Sequence, residues 1–167
     1  MQKRLQLTLF IDADESQLIE KIREKFNPEQ SKLIKAHVTL CREDELEQIE
    51  KVISSLEKLD VGHITIDIGN VIRFSDGAGV LIPAISDNQQ FYQLRETVLQ
   101  GLIEQPRKQE AHITLMHPRN STCTDAIFEQ IEKIQFPNKI EFRKISLIEQ
   151  GIGKKWNVLR EFALKNC

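Results

Sequence analysis

Ala36-His37-Val38-Thr39-Leu40 returns later in the chain as Ala111-His112-Ile113-Thr114-Leu115, at an offset of 112 − 37 = 75 residues. Carried along without a gap, the same offset lays Leu7 on Ile82, Asp12 on Asp87 and Ile19 on Leu94. A strand, a polar turn, a helix and a His-bearing strand therefore recur in order, and the chain reads as a duplication. Side chains alternate along a strand, so His37 and Thr39 share one face while Val38 and Leu40 share the other. His112 and Thr114 stand in the same relation to Ile113 and Leu115. The apolar face suits a layer of helices, which leaves both His-Thr pairs on an open surface. If the halves pack about a pseudo-twofold axis, two imidazoles and two hydroxyls meet in one cleft.

Around the repeat, the pattern is mixed α and β. Gln6–Ile11 alternates as a strand, with Gln6, Thr8 and Phe10 on its second face. Asp12 and Asp14 then open a helix carrying Leu18, Ile19, Ile22 and Phe26. Helical spacing is also expected over Glu43–Leu59, after Asp87 or Asn88, and after Thr122 or Thr124. Gly62–Phe74 and Val80–Ile85 read as strands on either side of the Ser75-Asp76-Gly77 turn. Two long strands close the chain, Ile140–Glu149 and Trp156–Leu164, joined by Gly151-Ile152-Gly153-Lys154-Lys155. With 167 residues, one domain of two interwoven lobes spanning 1–167 is expected.

The two His-Thr pairs suit phosphodiester chemistry. Histidine titrates near pH 6.5 when unperturbed, so one neutral ring can take a proton while one cationic ring gives one. Two threonine hydroxyls can donate to the phosphate oxygens on which charge develops. No metal and no cofactor is called for by this scheme, and no His/Asp/Glu run has metal-ligand spacing.

A paired His-hydrophobic-Thr-hydrophobic motif at this spacing resembles the 2H phosphoesterase superfamily, which includes bacterial 2′-5′ RNA ligase-like proteins and cyclic nucleotide phosphodiesterases. The likeness runs over nearly the whole chain. It implies an α+β bilobal pseudo-twofold duplication, with antiparallel sheets lining a central cleft and helices outside. It implies metal-independent opening of 2′,3′-cyclic phosphates, or cleavage of related 2′-linked phosphodiesters, at an RNA terminus or nucleotide. It carries His37, Thr39, His112 and Thr114 over as the catalytic set. The family often has Pro before each His, where this chain has Ala36 and Ala111. Arg42 follows the first motif where the family often has a basic residue; Met116-His117 follows the second, and Arg119 is the nearest replacement charge.

Other residues carry two readings each. Trp156 is either a stacking platform for a base or a core aromatic. Lys154 and Lys155 either attract phosphate or decorate a solvated turn. Phe10 either borders the cleft or packs in the core. His63, a third His-x-Thr with Thr65, breaks the register and reads as a surface or rim residue. His117 reads as a strand-end residue, and Cys41 as a passive neighbour. Two rival functions stand beside the hydrolase: a non-catalytic module binding RNA ends or nucleotides, and a 2′-5′ RNA ligase.

Composition narrows the field. Lys+Arg 23 against Asp+Glu 25 leaves a net charge of −2, without the basic field of a dedicated nucleic-acid binder. That balance favours a short substrate over a long duplex. No apolar run approaches the roughly 20 residues that cross a bilayer, and the N-terminus lacks signal-peptide character. Cys41, Cys123 and Cys167 are too few and too scattered for a disulfide framework. The expectation is a cytoplasmic monomer with no obligate protein partner.

Overall fold

The structure, a computed structural model, describes residues 2–166, so Cys167 lies outside the described residues. Nine strands and five helices follow in the order β1 Lys3–Phe10, α1 Ala13–Phe26, α2 Pro28–Leu33, β2 His37–Cys41, α3 Ile49–Glu57, β3 Ile64–Asp67, β4 Ile72–Arg73, β5 Val80–Pro83, α4 Gln89–Leu99, β6 His112–Met116, α5 Asp125–Glu132, β7 Lys139–Phe142, β8 Lys144–Gly151 and β9 Asn157–Ala163. Seven strands form one sheet in the order β4-β5-β6-β2-β1-β8-β9, and β3 pairs with β7 in a second. Every pairing between the named strands is antiparallel.

The duplication is built into the middle of the large sheet. β2 meets β6 at Val38↔Ile113, residues that the repeat itself equates. The two halves are therefore continuous, and the pseudo-twofold axis passes between these two residues. Both His strands show one burial pattern, with His and Thr half-buried and the other three positions buried. Val38, Leu40, Ile113 and Leu115 are each at most 1% exposed and join the main core with Ile19 of α1 and Leu94 of α4.

The ungapped offset fails for the strands flanking the His strands. Thr8 faces Thr39 and Leu81 faces Thr114, so β1 and β5 are related by 81 − 8 = 73 residues. Leu9, not Leu7, occupies the place of Ile82. The turns after these strands absorb the difference. α1 begins after Asp12, whereas α4 begins after Asn88, held in the left-handed region at φ 47° with Ser86 at φ 66° before it. Both ladders carry a register shift at matching places, Leu7/Thr8 and Val80/Leu81. These bulges turn Cys41 and Met116 into the core rather than onto the face of the threonines.

Three further differences from the sequence pattern have local causes. The expected Glu43–Leu59 helix starts as a 3-10 turn over Glu43–Glu45, and α3 begins only at Ile49. Gly62–Phe74 divides into β3 and β4 around Gly69, where any Cβ would stand 2.6 Å from the Ile85 side chain. Ile140–Glu149 divides at Arg143, so β7 serves the small sheet and β8 the large one. Buried ion pairing braces the cleft wall. Arg95 of α4 and Glu45 meet at 2.8 Å, and Arg95 also donates to the Leu40 carbonyl at the end of β2.

Candidate active site

His37 and His112 open their strands on the same face, and both line one cleft of about 730 Å³ together with Thr39 and Thr114. The local geometry of the two rings is duplicated. His37 Nδ1 lies 2.7 Å from the Lys35 carbonyl, and His112 Nδ1 lies 3.0 Å from the Glu110 carbonyl. A carbonyl only accepts, so each Nδ1 carries the hydrogen and Nε2 is the free nitrogen. An aromatic ring supports each imidazole edge-on, Phe10 for His37 and Phe74 for His112, both at 6.0 Å. Phe74 reaches His112 because Gly79 has no side chain. A Cβ there would fall 2.5 Å from the Phe74 ring.

The symmetry ends at the threonines. Gln6 of β1 donates from Nε2 to Thr8 Oγ1 at 2.7 Å and to Thr39 Oγ1 at 3.1 Å. Thr39 therefore accepts from behind, which frees its own hydroxyl hydrogen for a ligand oxygen. On the other half the place of Gln6 is taken by Gly79, so among the described residues Thr114 has no matching donor behind it.

Electrostatics bear on His37 and His117. Burial pushes His37 down to about 4, the bond to the Lys35 carbonyl opposes this, and the positive charges of Arg23, His112 and His117 push the same way as burial. His37 is therefore a neutral proton acceptor at neutral pH. His117 is also held below the ordinary imidazole range, first by burial and then by Arg119.

The cleft gathers most of the sequence-derived candidates. Arg42 and Trp156 line it, as do His117 and Arg119. Trp156 is half-buried, its backbone N–H donates to Leu33, and Arg4 lies over its ring at 5.5 Å. Phe10 touches His37 but lines a neighbouring groove rather than this cleft. Lys154 lies on the exposed turn outside the cleft lining. Its backbone is engaged on both sides, the N–H donating to the Gly151 carbonyl and the carbonyl accepting from Gln150. His63 lies outside as well, paired with Glu141 at 2.9 Å. Cys41 is fully buried, and burial pushes its thiol up to about 12.

Sequence reasoning passed over Gln6, Arg4, Gln109, Gln30 and Arg23, all of which line the cleft. The signal for Gln6 was present, since it shares the polar face of β1 with Thr8. Arg23 had no such signal, because it sits on the buried stripe of a helix and is 2% exposed. Among the described residues, no three His, Cys, Asp or Glu side chains converge as a metal site.

Fold and site together define a duplicated α+β protein whose paired His-x-Thr strands face a common cleft. A family profile described as the 2′-5′ RNA ligase superfamily matches residues 11–153, and the chain belongs to that family, a branch of the 2H phosphoesterases. Solved structures share the fold at low identity. E. coli LigT complexed with phosphate superposes with a TM-score of 0.68 at 17% identity, covering 98% of each chain. E. coli LigT complexed with 3′-AMP gives 0.68 at 18%, covering 98% of this chain and 99% of that one. A structure described as a phosphoesterase gives 0.69 at 16%, covering 99% and 100%. No protein of curated function matches the sequence.

Proposed function

We propose that the protein is a phosphoesterase that opens 2′,3′-cyclic phosphates, or cleaves related 2′-linked phosphodiesters, of nucleotides or RNA ends by two-histidine acid/base catalysis. The observation that carries this reading is the pair of imidazoles in one cleft, each with Nδ1 tied to a carbonyl and Nε2 free. Water attacks phosphorus, and His37 Nε2, neutral at neutral pH, takes the proton. The bond from phosphorus to the departing ribose oxygen breaks, and His112, acting as the acid, gives that oxygen a proton. The product is a phosphomonoester. Thr39 and Thr114 donate to the non-bridging oxygens as charge gathers there. Arg42 and Arg119 supply positive charge along the cleft, and Trp156 offers a stacking surface for a base.

The bound phosphate and 3′-AMP of the E. coli LigT structures are the ligand chemistry this reading requires. Joining of RNA ends, which the family description names, uses the same base and acid with a ribose hydroxyl in place of the attacking water on a cyclic phosphate. Hydrolysis is favoured in water. Cys41 and Cys123 are free buried thiols, which fits a reducing compartment such as the cytoplasm. The test is incubation with a 2′,3′-cyclic nucleotide in excess chelator, with product identified by phosphorus NMR. A ring-opened monoester is expected, and an untouched substrate alongside tight binding would indicate a binding module instead.

A further inference from the structure

Beside the cleft, one side chain on α1 reaches His37 through a single peptide unit. Ala36 N–H donates to Glu20 Oε1, and the Lys35 carbonyl of that same planar unit accepts from His37 Nδ1. Arg23 holds Glu20 from behind, with Nη1 3.0 Å from Glu20 Oε1 and Nη2 donating to the Ile34 carbonyl at 2.8 Å. Both peptide units flanking Lys35 are thereby pinned by a pair on one helical turn. Arg23 is 2% exposed and Glu20 is half-buried, so water competes weakly for these bonds.

We propose that Glu20, backed by Arg23, is a positioning residue that sets the tautomer and aim of His37 through the Lys35-Ala36 peptide. This rests on the acid/base reading of His37. Carboxylates that orient a histidine usually bond its Nδ1–H directly; here the backbone is interposed. A charged acceptor on the N–H end of an amide polarises its carbonyl, which strengthens the bond that the carbonyl accepts. The second half lacks the device. The residue 75 positions on from Glu20 is Arg95, whose carboxylate partner is Glu45, and its carbonyl contacts fall at Leu40 and Arg107. Among the described residues, no side chain holds Ala111 N–H behind His112. The arrangement therefore distinguishes two histidines that the repeat made alike.

One atom of the Arg23 guanidinium group is left over. Its Nε is buried without a partner, one of two such side-chain atoms among the described residues, the other being Arg73 Nε. A buried donor left unpaired costs stability, and what the guanidinium gives in return here is its hold on Glu20 and on the Ile34 carbonyl.

Imidazole nitrogen NMR tests this without requiring turnover. In the wild type His37 should be in its Nδ1–H form at pH 7. In Glu20→Leu/Arg23→Met, which removes both charges together and strands neither, the Nε2–H form should become populated. With a cyclic nucleotide, kcat should fall roughly 10–100-fold with KM little changed, the mark of a misaimed group rather than lost binding. Glu20→Gln, which keeps an acceptor for Ala36 N–H, should retain the Nδ1–H form. Should the double variant not fold, Glu20→Leu is read the same way. An unchanged Nδ1–H form in the variant that folds would overturn the proposal. A wild type inactive on cyclic phosphates would instead refute the acid/base reading, and the tautomer result would still decide the role of Glu20.

Discussion

His37 should make the protein lose stability as pH falls from about 6.5 toward 4, by an amount the structure sets. In the unfolded chain the ring titrates near its ordinary value of about 6.5. In the fold it is held down to about 4, first by burial and then by Arg23, His112 and His117. Between these values the unfolded chain binds a proton that the folded one refuses, so stability rises with pH across the window and is lost on acidification. One pKa unit corresponds to about 1.4 kcal/mol, so the full depression reaches about 3 kcal/mol at pH 4. Partial solvent access at the cleft mouth trims this to about 2–3 kcal/mol. Denaturant unfolding of wild type and His37→Asn at pH 8, 6, 5 and 4 isolates this residue, because carboxylate titrations cancel in the difference. Asn keeps a donor for the Lys35 carbonyl but does not titrate. The stability difference should move against the wild type as pH falls. A flat difference, or one with the opposite slope, would refute the claim that His37 is held neutral and with it the assignment of His37 as base.

Thr39→Val and Thr114→Val should each lower kcat/KM by roughly 10–10³-fold, the scale of one lost transition-state hydrogen bond. Melting temperature should change more for Thr39, whose oxygen accepts from Gln6, than for Thr114; a destabilised but fully active pair would make the motif a packing feature. His63→Ala should leave turnover within about threefold of wild type, since surface changes away from the chemistry seldom cost more than about 0.5 kcal/mol. A loss matching that of His37→Ala would show the wrong pair had been chosen. Trp156→Ala should raise KM for nucleotide substrates about 5–150-fold with kcat retained, corresponding to about 1–3 kcal/mol of base stacking. Unchanged KM would assign the ring to holding Arg4 alone.

The face carrying the two His-Thr pairs was legible because its cause is local. Alternation along five residues determines where His37, Thr39, His112 and Thr114 point, and the duplication says that they meet. The 73-residue relation between β1 and β5 was hidden, because bulges and turn lengths are settled by the partner strand rather than by the strand's own residues. The same reason explains Cys41. Its parity places it with Thr39, and the bulge turns it inward. Lys154 misled for a different reason. Charge type alone does not say whether a turn folds over a cleft, and this one is tied back through Gln150. Glu20 and Arg23 act through contacts separated by 16 and 11 residues, beyond the reach of any local pattern, whereas Gln6 was legible on the polar face of β1 beside Thr8.

His37 and His112 are expected to form one acid/base pair acting on a cyclic phosphate. Hydrolysis of a 2′,3′-cyclic nucleotide in chelator should be measured for wild type, His37→Ala, His112→Ala and the double variant, each shown to be folded. Each single change should cost about 10²–10⁴-fold in kcat. The double variant should lose far less than the product of the two, because groups that act as a unit are not additive. Single variants that retain near-wild-type rates, or activity in the wild type that vanishes with chelator, would contradict the account.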